Sequence, residues 1–156
     1  MKIIDSHLIS QLQQEAQANP RLRKNYNFHL EDSDRLQRML NAIEPDSYVQ
    51  PHRHQNPAKR EMFVILKGRM AVFIFDDEGV IIRKVLLDAH MGNWGIEILP
   101  HEGHSIVALE KGSVVFEVKD GPYVAADDKL FAPWAPKPDT PEAHIFLTRL
   151  RSHINE

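Results

Sequence analysis

The sequence predicts a mainly-β fold, a sandwich or barrel of many short strands with helical additions at both ends. Three observations carry that reading. Between residues 47 and 119, apolar and β-branched runs of four to eight residues recur, most of them closed by glycine-containing turns. Before residue 45 and after residue 140 the apolar spacing changes to that of amphipathic helices. At 156 residues the chain has the size of one domain and can bury a sizeable core without staples.

In chain order, Asp5 or Ser6 is placed to cap a first helix carrying Leu8, Leu12 and Ala16, which Asn19-Pro20 stops. Asp32 or Ser33 is placed to cap a second, with Leu36, Met39, Leu40 and Ile43 at i, i+3, i+4 and i+7, ended by Pro45. The polar segment Arg23–His29 then reads as the connector between two helices. Strands follow at Glu61–Lys67 and Arg69–Phe75, joined at Gly68, and after the Asp76–Gly79 turn at Val80–Leu87. Further strands are expected at Ile96–Leu99, Ser105–Leu109 and Ser113–Lys119. Beyond Asp120-Gly121-Pro122 a Pro-rich stretch, Phe131–Pro138, leads to Thr140-Pro141, a cap followed by Pro in the first turn. The helix after it would bury Phe146, Leu147, Leu150 and Ile154, with Arg149, Arg151 and His153 at its negative pole. The expectation is one domain over residues 1–156: a helical extension (1–45), a β-barrel core (47–119), and a cover segment with a C-terminal helix (120–156).

The chain is 42% hydrophobic and 26% charged, with formal net charge −3, as for an ordinary globular protein. It has no cysteine, which excludes disulfides, iron–sulfur clusters and thiolate zinc sites. No basic cluster points to nucleic acid, and no apolar run is long enough to span a bilayer. The N-terminus shows no long apolar stretch before a small-residue cleavage site, so a cytoplasmic location is expected. No Gly-rich phosphate loop or nucleophile elbow occurs.

Chemistry concentrates in the histidines. In Pro51-His52-Arg53-His54, residues two apart on an extended strand send both imidazoles to one side. Six residues later Glu61 opens the next strand, on one face with Phe63 and Ile65. A carboxylate turned into a barrel interior needs a partner, and a divalent cation between imidazoles supplies one. The best fourth ligand is His104, at the head of the apolar run Ile106–Ala108. Such a His/Glu set suits one divalent ion (Zn, Fe, Mn, Ni or Co) and does not choose among them. Four protein donors leave open positions on a six-coordinate ion.

The pattern His52-x-His54…Glu61…Gly68 resembles the first cupin motif, and Gly95…Pro100…His104 the second. Further segments, among them Arg23–His29, Phe75–Gly79, Phe116–Tyr123 and Phe131–Pro136, are similar to the WbuC family of bacterial cupin-fold metalloproteins, some encoded within O-antigen gene clusters. The likeness runs over nearly the whole chain. It implies a cupin double-stranded β-helix, or jelly-roll barrel, with N-terminal helices and a C-terminal helix, and a four-ligand metal site. It implies no reaction. Two features depart from the general motifs: cupins usually have fewer residues than the six between His54 and Glu61, and His101 stands where the second motif has Gly. His101 and His104 thus compete for one role, and strand register favours His104.

Around these residues, Arg23, Asn25, Asn27 and His29 are candidates to contact an anionic or hydroxylated ligand, or else form a solvated connector. His29 is also a candidate extra ligand or proton carrier. Glu117 is either a surface salt-bridge partner or an acceptor supporting a ligating imidazole. Tyr123, Phe131 and Trp134 form an aromatic wall for a ligand or a cover on the barrel end. Trp94 reads as a packing residue, and Phe63 as packing that also gives the ligand pocket an apolar wall. Candidates for acid–base work are His29, Tyr123 and Glu117. The expected partner is a small polar molecule, a sugar or nucleotide sugar in bacterial surface-polysaccharide metabolism, acted on by a metalloenzyme. The competing expectations are a metal-dependent binding module without turnover and a purely structural metal. Homodimerisation through the N-terminal segment is a further expectation.

Overall fold

The computed structural model describes residues 1–154. The chain opens with α1 (Ser6–Ala18), followed by β1 (Arg23–Asn27), β2 (Leu36–Ile43), β3 (His52–Arg53), β4 (Glu61–Lys67) and β5 (Arg69–Phe75). It continues through β6 (Ile81–Asp88), β7 (Gly95–Ile98), β8 (Gly103–Ala108), β9 (Ser113–Asp120) and β10 (Leu130–Phe131), and ends in α2 (Pro141–Ser152). The strands form two five-stranded antiparallel sheets, ordered β1-β2-β9-β4-β7 and β10-β3-β8-β5-β6. Among the described residues no helix is long and apolar enough to cross a membrane.

Each sheet has two apolar faces to cover, and the chain covers them with four layers, helix–sheet–sheet–helix. Between the sheets lie Phe63, Ile65, Met70, Val72, Leu87, Ile106 and Val115. Outside the first sheet, Leu12 and Ala16 of α1 close over Leu40, Ala42 and Val114. Outside the second, Phe146, Leu147 and Leu150 of α2 close over Ala71, Phe73 and Val107. Because β5 is covered on both faces it reads as an unbroken apolar run. The helix starts follow the expected chemistry. Asp5 accepts from the Leu8 N–H at 2.9 Å and Thr140 from the Ala143 N–H at 3.2 Å. The turn into β5 places Gly68 at φ 73°, where a Cβ would strike Ser113.

One predicted element is overturned. Residues 36–43 form β2, not a second helix, and the preceding polar segment is β1 rather than a connector, so the strands begin at Arg23 and not near residue 47. The cause is double burial. In β2, Leu40 and Ala42 face α1 while Met39 and Ile43 face the interior, so apolar residues fall on both faces and mimic the i, i+3, i+4, i+7 pattern. Trp94, expected to pack, is 62% exposed in the loop before β7.

Register divides the interior of the first sheet along its length. Toward one end, Ile65 lies opposite Val115. Toward the other, Phe63 lies opposite Glu117, Glu61 opposite Lys119, and Gln37 also opposite Lys119. Buried polar side chains therefore gather at one end of the barrel. Across the gap, β3 and β8 pair at the same end through His52 and His104.

Candidate metal centre and its cavity

His52, His54, Glu61 and His104 meet at that polar end. One potential ligand atom from each lies within 4.8 Å of all the others, and all four residues are buried. Each comes from a strand start or its flank: His52 in β3, His54 just after it, Glu61 first in β4 and His104 second in β8. The imidazole rings crowd together, with His52 4.5 Å from His104 and 5.2 Å from His54 between centroids.

The hydrogen bonds fix which nitrogens face the centre. His52 Nδ1 donates to the Gln50 carbonyl at 2.9 Å, His104 Nδ1 to the Glu102 carbonyl at 3.0 Å, and His54 Nδ1 to the Asp128 carbonyl. A carbonyl only accepts, so each Nδ1 carries a proton and each ring turns its Nε2 inward. The three Nε2 atoms and Glu61 Oε2 are buried and have no hydrogen-bond partner. His104 Nε2 nevertheless lies 2.9 Å from Glu61 Oε2, and His54 Nε2 3.6 Å from it. A nitrogen and a carboxylate oxygen held this close need a proton or a metal cation between them. The residues thus form a group able to hold a metal ion, with backbone carbonyls orienting each imidazole.

Ionisation agrees with that arrangement. Burial pushes His52 well below the usual histidine range, so it stays neutral. Burial also pushes Glu61 up, but the adjacent His104 and His54 outweigh it and hold the carboxyl well below its usual range. Glu117 goes the other way: burial, then the negative charge of Glu61, push it up to about 8. Glu117 accepts from the Asn41 side chain. It is buried, so it is no surface salt-bridge partner as one reading of the sequence had it.

A cavity of about 420 Å³ opens beside His52, Glu61 and His104. Its wall includes Arg23, Asn25, Asn27, His29, Phe63, Glu117 and Tyr123, all singled out in the sequence. Alternation along β1 explains the first three, because residues 23, 25 and 27 share the inward face. Arg23 is tied back by donating to Ser47 Oγ at 3.1 Å and the Tyr48 carbonyl at 2.7 Å. His29 lines the cavity with Nδ1 3.1 Å from the Arg38 backbone nitrogen, and is not one of the four clustered residues.

Two candidates fall elsewhere. Trp134 lines a different cavity and packs on Phe75 and Phe146, as a cover over the outer face of the second sheet. His101 is exposed in the turn before β8 at φ 74°. That left-handed backbone is why glycine suits the position.

Sequence reasoning missed Asp128, Lys59 and Lys129. Asp128 is 2% exposed, and its carboxylate bridges Lys59 at 2.9 Å and Lys119 at 2.8 Å. Its carbonyl is the one that orients His54. Lys129 follows it and lines the cavity. Lys59 lies in the loop before β4 and Asp128 and Lys129 in the segment before β10, both without period or motif, so only their charge marked them.

Comparison with solved structures places this architecture. The capsular polysaccharide assembling protein CapF from Staphylococcus aureus matches at 19% identity over 64% of this chain and 27% of its own, with a TM-score of 0.54. The L-ribose isomerase of Cellulomonas parahominis, solved with L-psicose, matches at 17% identity over 72% and 70%, with a TM-score of 0.55. The cupin domain of Schizosaccharomyces pombe Cnp3 matches at 10% identity over 63% and 64%, with a TM-score of 0.50. This chain therefore spans less than a third of CapF, and the likeness shows the fold, a cupin jelly roll. No curated protein matches the sequence. A family model described as Domain of unknown function (DUF6016) matches residues 4–87, a span that includes His52, His54 and Glu61. That span exceeds half of the 156 residues, and the chain belongs to the DUF6016 family.

Proposed function

We propose that this chain is a cytoplasmic bacterial cupin that holds one divalent ion through His52, His54, Glu61 and His104 and acts on a sugar or nucleotide sugar in the adjoining cavity. The observation that carries the metal is the convergence of three imidazole Nε2 atoms and one carboxylate oxygen, all buried and none hydrogen-bonded. When bound, the ion supplies a Lewis acid that polarises a substrate oxygen. The chain's own residues do the rest. Asn25, Asn27 and Asn41 offer amide donors and acceptors for hydroxyl groups, and Phe63 gives an apolar floor. Glu117 and His29 are the groups placed to hold or pass a proton, and Tyr123 offers a phenol at the rim.

The surface-polysaccharide assignment rests on the segments that resemble the WbuC family, Arg23–His29 and Phe116–Tyr123 among them, and both contribute to this cavity. CapF, a capsular polysaccharide assembling protein, and a sugar isomerase share the fold.

Elemental analysis of tag-free protein tests the metal, with about one ion per chain expected. Low metal content that resists reconstitution with Zn, Mn, Fe and Ni overturns the reading. Incubating metal-loaded protein with sugars and nucleotide sugars then separates enzyme from binder. A ligand that raises Tm only of the metal-loaded form and is recovered unchanged makes the chain a binding module.

A further inference from the structure

The cavity wall is not neutral. Asp128 is shared between Lys59 and Lys119, and the Glu61 carboxylate belongs to the four-residue cluster. Glu117 is occupied by Asn41. Lys129, an exposed residue next to Asp128 that lines the same cavity, has no side-chain hydrogen bond or ion pair among the described residues. It shares the cavity lining with His52, Glu61 and Glu117. Its backbone is pinned on both sides. Asp128 is fixed by two lysines and by His54, and Leu130 pairs with Arg53 beside the His52 strand position.

A cation that lines the cavity beside the four-residue cluster, on a backbone fixed at both sides and without a protein partner, is arranged to receive an anion. Cations prevail among the exposed lining residues: Arg21 and Lys24 accompany Lys129, against one exposed carboxylate, Asp32. A cavity of about 420 Å³ lies toward the small end of ligand pockets. It has room for one sugar-sized unit.

Resting on the function proposed above, we infer that the ligand is a small hydroxylated anion, a single sugar-sized molecule bearing a carboxylate or phosphate, and that Lys129 is the residue that binds its charge. The hydroxyl or carbonyl oxygens face the four-residue cluster and the anionic substituent reaches Lys129.

The test uses the full chain reconstituted with Mn or Zn, with metal content measured on every sample. Isothermal titration with glucose, glucuronate, glucose 6-phosphate and a uridine diphosphate sugar separates the classes. Glucuronate or glucose 6-phosphate is expected to bind at least about tenfold more tightly than glucose, and which of the two wins identifies the anion. Lys129→Gln is expected to remove about tenfold or more of that preference while metal content and Tm hold, and Lys129→Arg to restore most of it. Equal binding of glucose and the two acids, no binding by any of them, or tightest binding by the diphosphate sugar overturns the inference. So does an unchanged preference in Lys129→Gln. Protein that takes up no metal fails the proposed function instead, and metal content reports that separately.

Discussion

At the scale of single residues, the site depends on which nitrogen of each imidazole faces inward, and neighbouring carbonyls decide that. His104 is 1% exposed with its Nε2 directed at Glu61, whereas His101 is exposed in the turn. Replacing His104 with Ala is therefore expected to abolish tight metal binding and His101→Ala to leave it, measured as metal content after dialysis. The opposite result would reassign the fourth ligand. Acid should weaken metal binding, because ions and protons compete for the same Nε2 lone pairs. The apo fold should lose stability in the same direction. Burial holds the folded-state value for His52 well below its unfolded value. Below about pH 6.5 the unfolded chain takes up a proton that folded His52 refuses, so stability falls as pH falls. Denaturant midpoints of metal-free protein that do not decrease from pH 7 to pH 5.5 would contradict this. The clustered residues were legible in the sequence because strand geometry ties spacing to direction: His52 and His54 lie two apart, Glu61 begins a strand and His104 is second in another. What orients them was not legible, since a backbone carbonyl carries no sequence signature.

At the scale of elements, strands closed by glycine turns were readable to within a residue or two, and β4 and β5 to the residue. So was α2, whose cap and Pro precede one apolar stripe. β2 was misread because it is buried on both faces. The same burial makes it sensitive. Leu40 is 0% exposed, between the first sheet and α1, so Leu40→Ala is expected to cost about 2–5 kcal/mol in chemical denaturation. A peripheral helix would show a cost under about 1 kcal/mol. Removing the α2 cap with Thr140→Ala is a smaller change, about 1 kcal/mol, and should leave metal affinity unaltered because α2 packs on the outer face of the second sheet.

At the scale of the whole molecule, one segment outside the predicted barrel core completes the site. Asp128 joins Lys59 before β4, Lys119 in β9 and His54 after β3. Its carboxyl is pushed up by burial, but Lys119 and Lys59 outweigh that and hold it below its usual range. Asp128→Ala leaves two buried ammonium groups without their shared anion. An unfolding cost of about 3–5 kcal/mol is expected, by the precedent of broken buried ion pairs. Metal affinity should fall as well, because the segment carrying the His54 acceptor loses its anchor. A variant of unchanged stability would show that the three-charge cluster is dispensable. The bond from His54 to Asp128 spans 74 positions of sequence. During synthesis, His52, His54, Glu61 and His104 are all joined to the chain before the carbonyl that aims His54 has been made. A chain that ends before residue 128 thus has the four clustered residues but lacks the carbonyl that orients His54, and under the proposed function full loading with metal is expected only once residue 128 is in place.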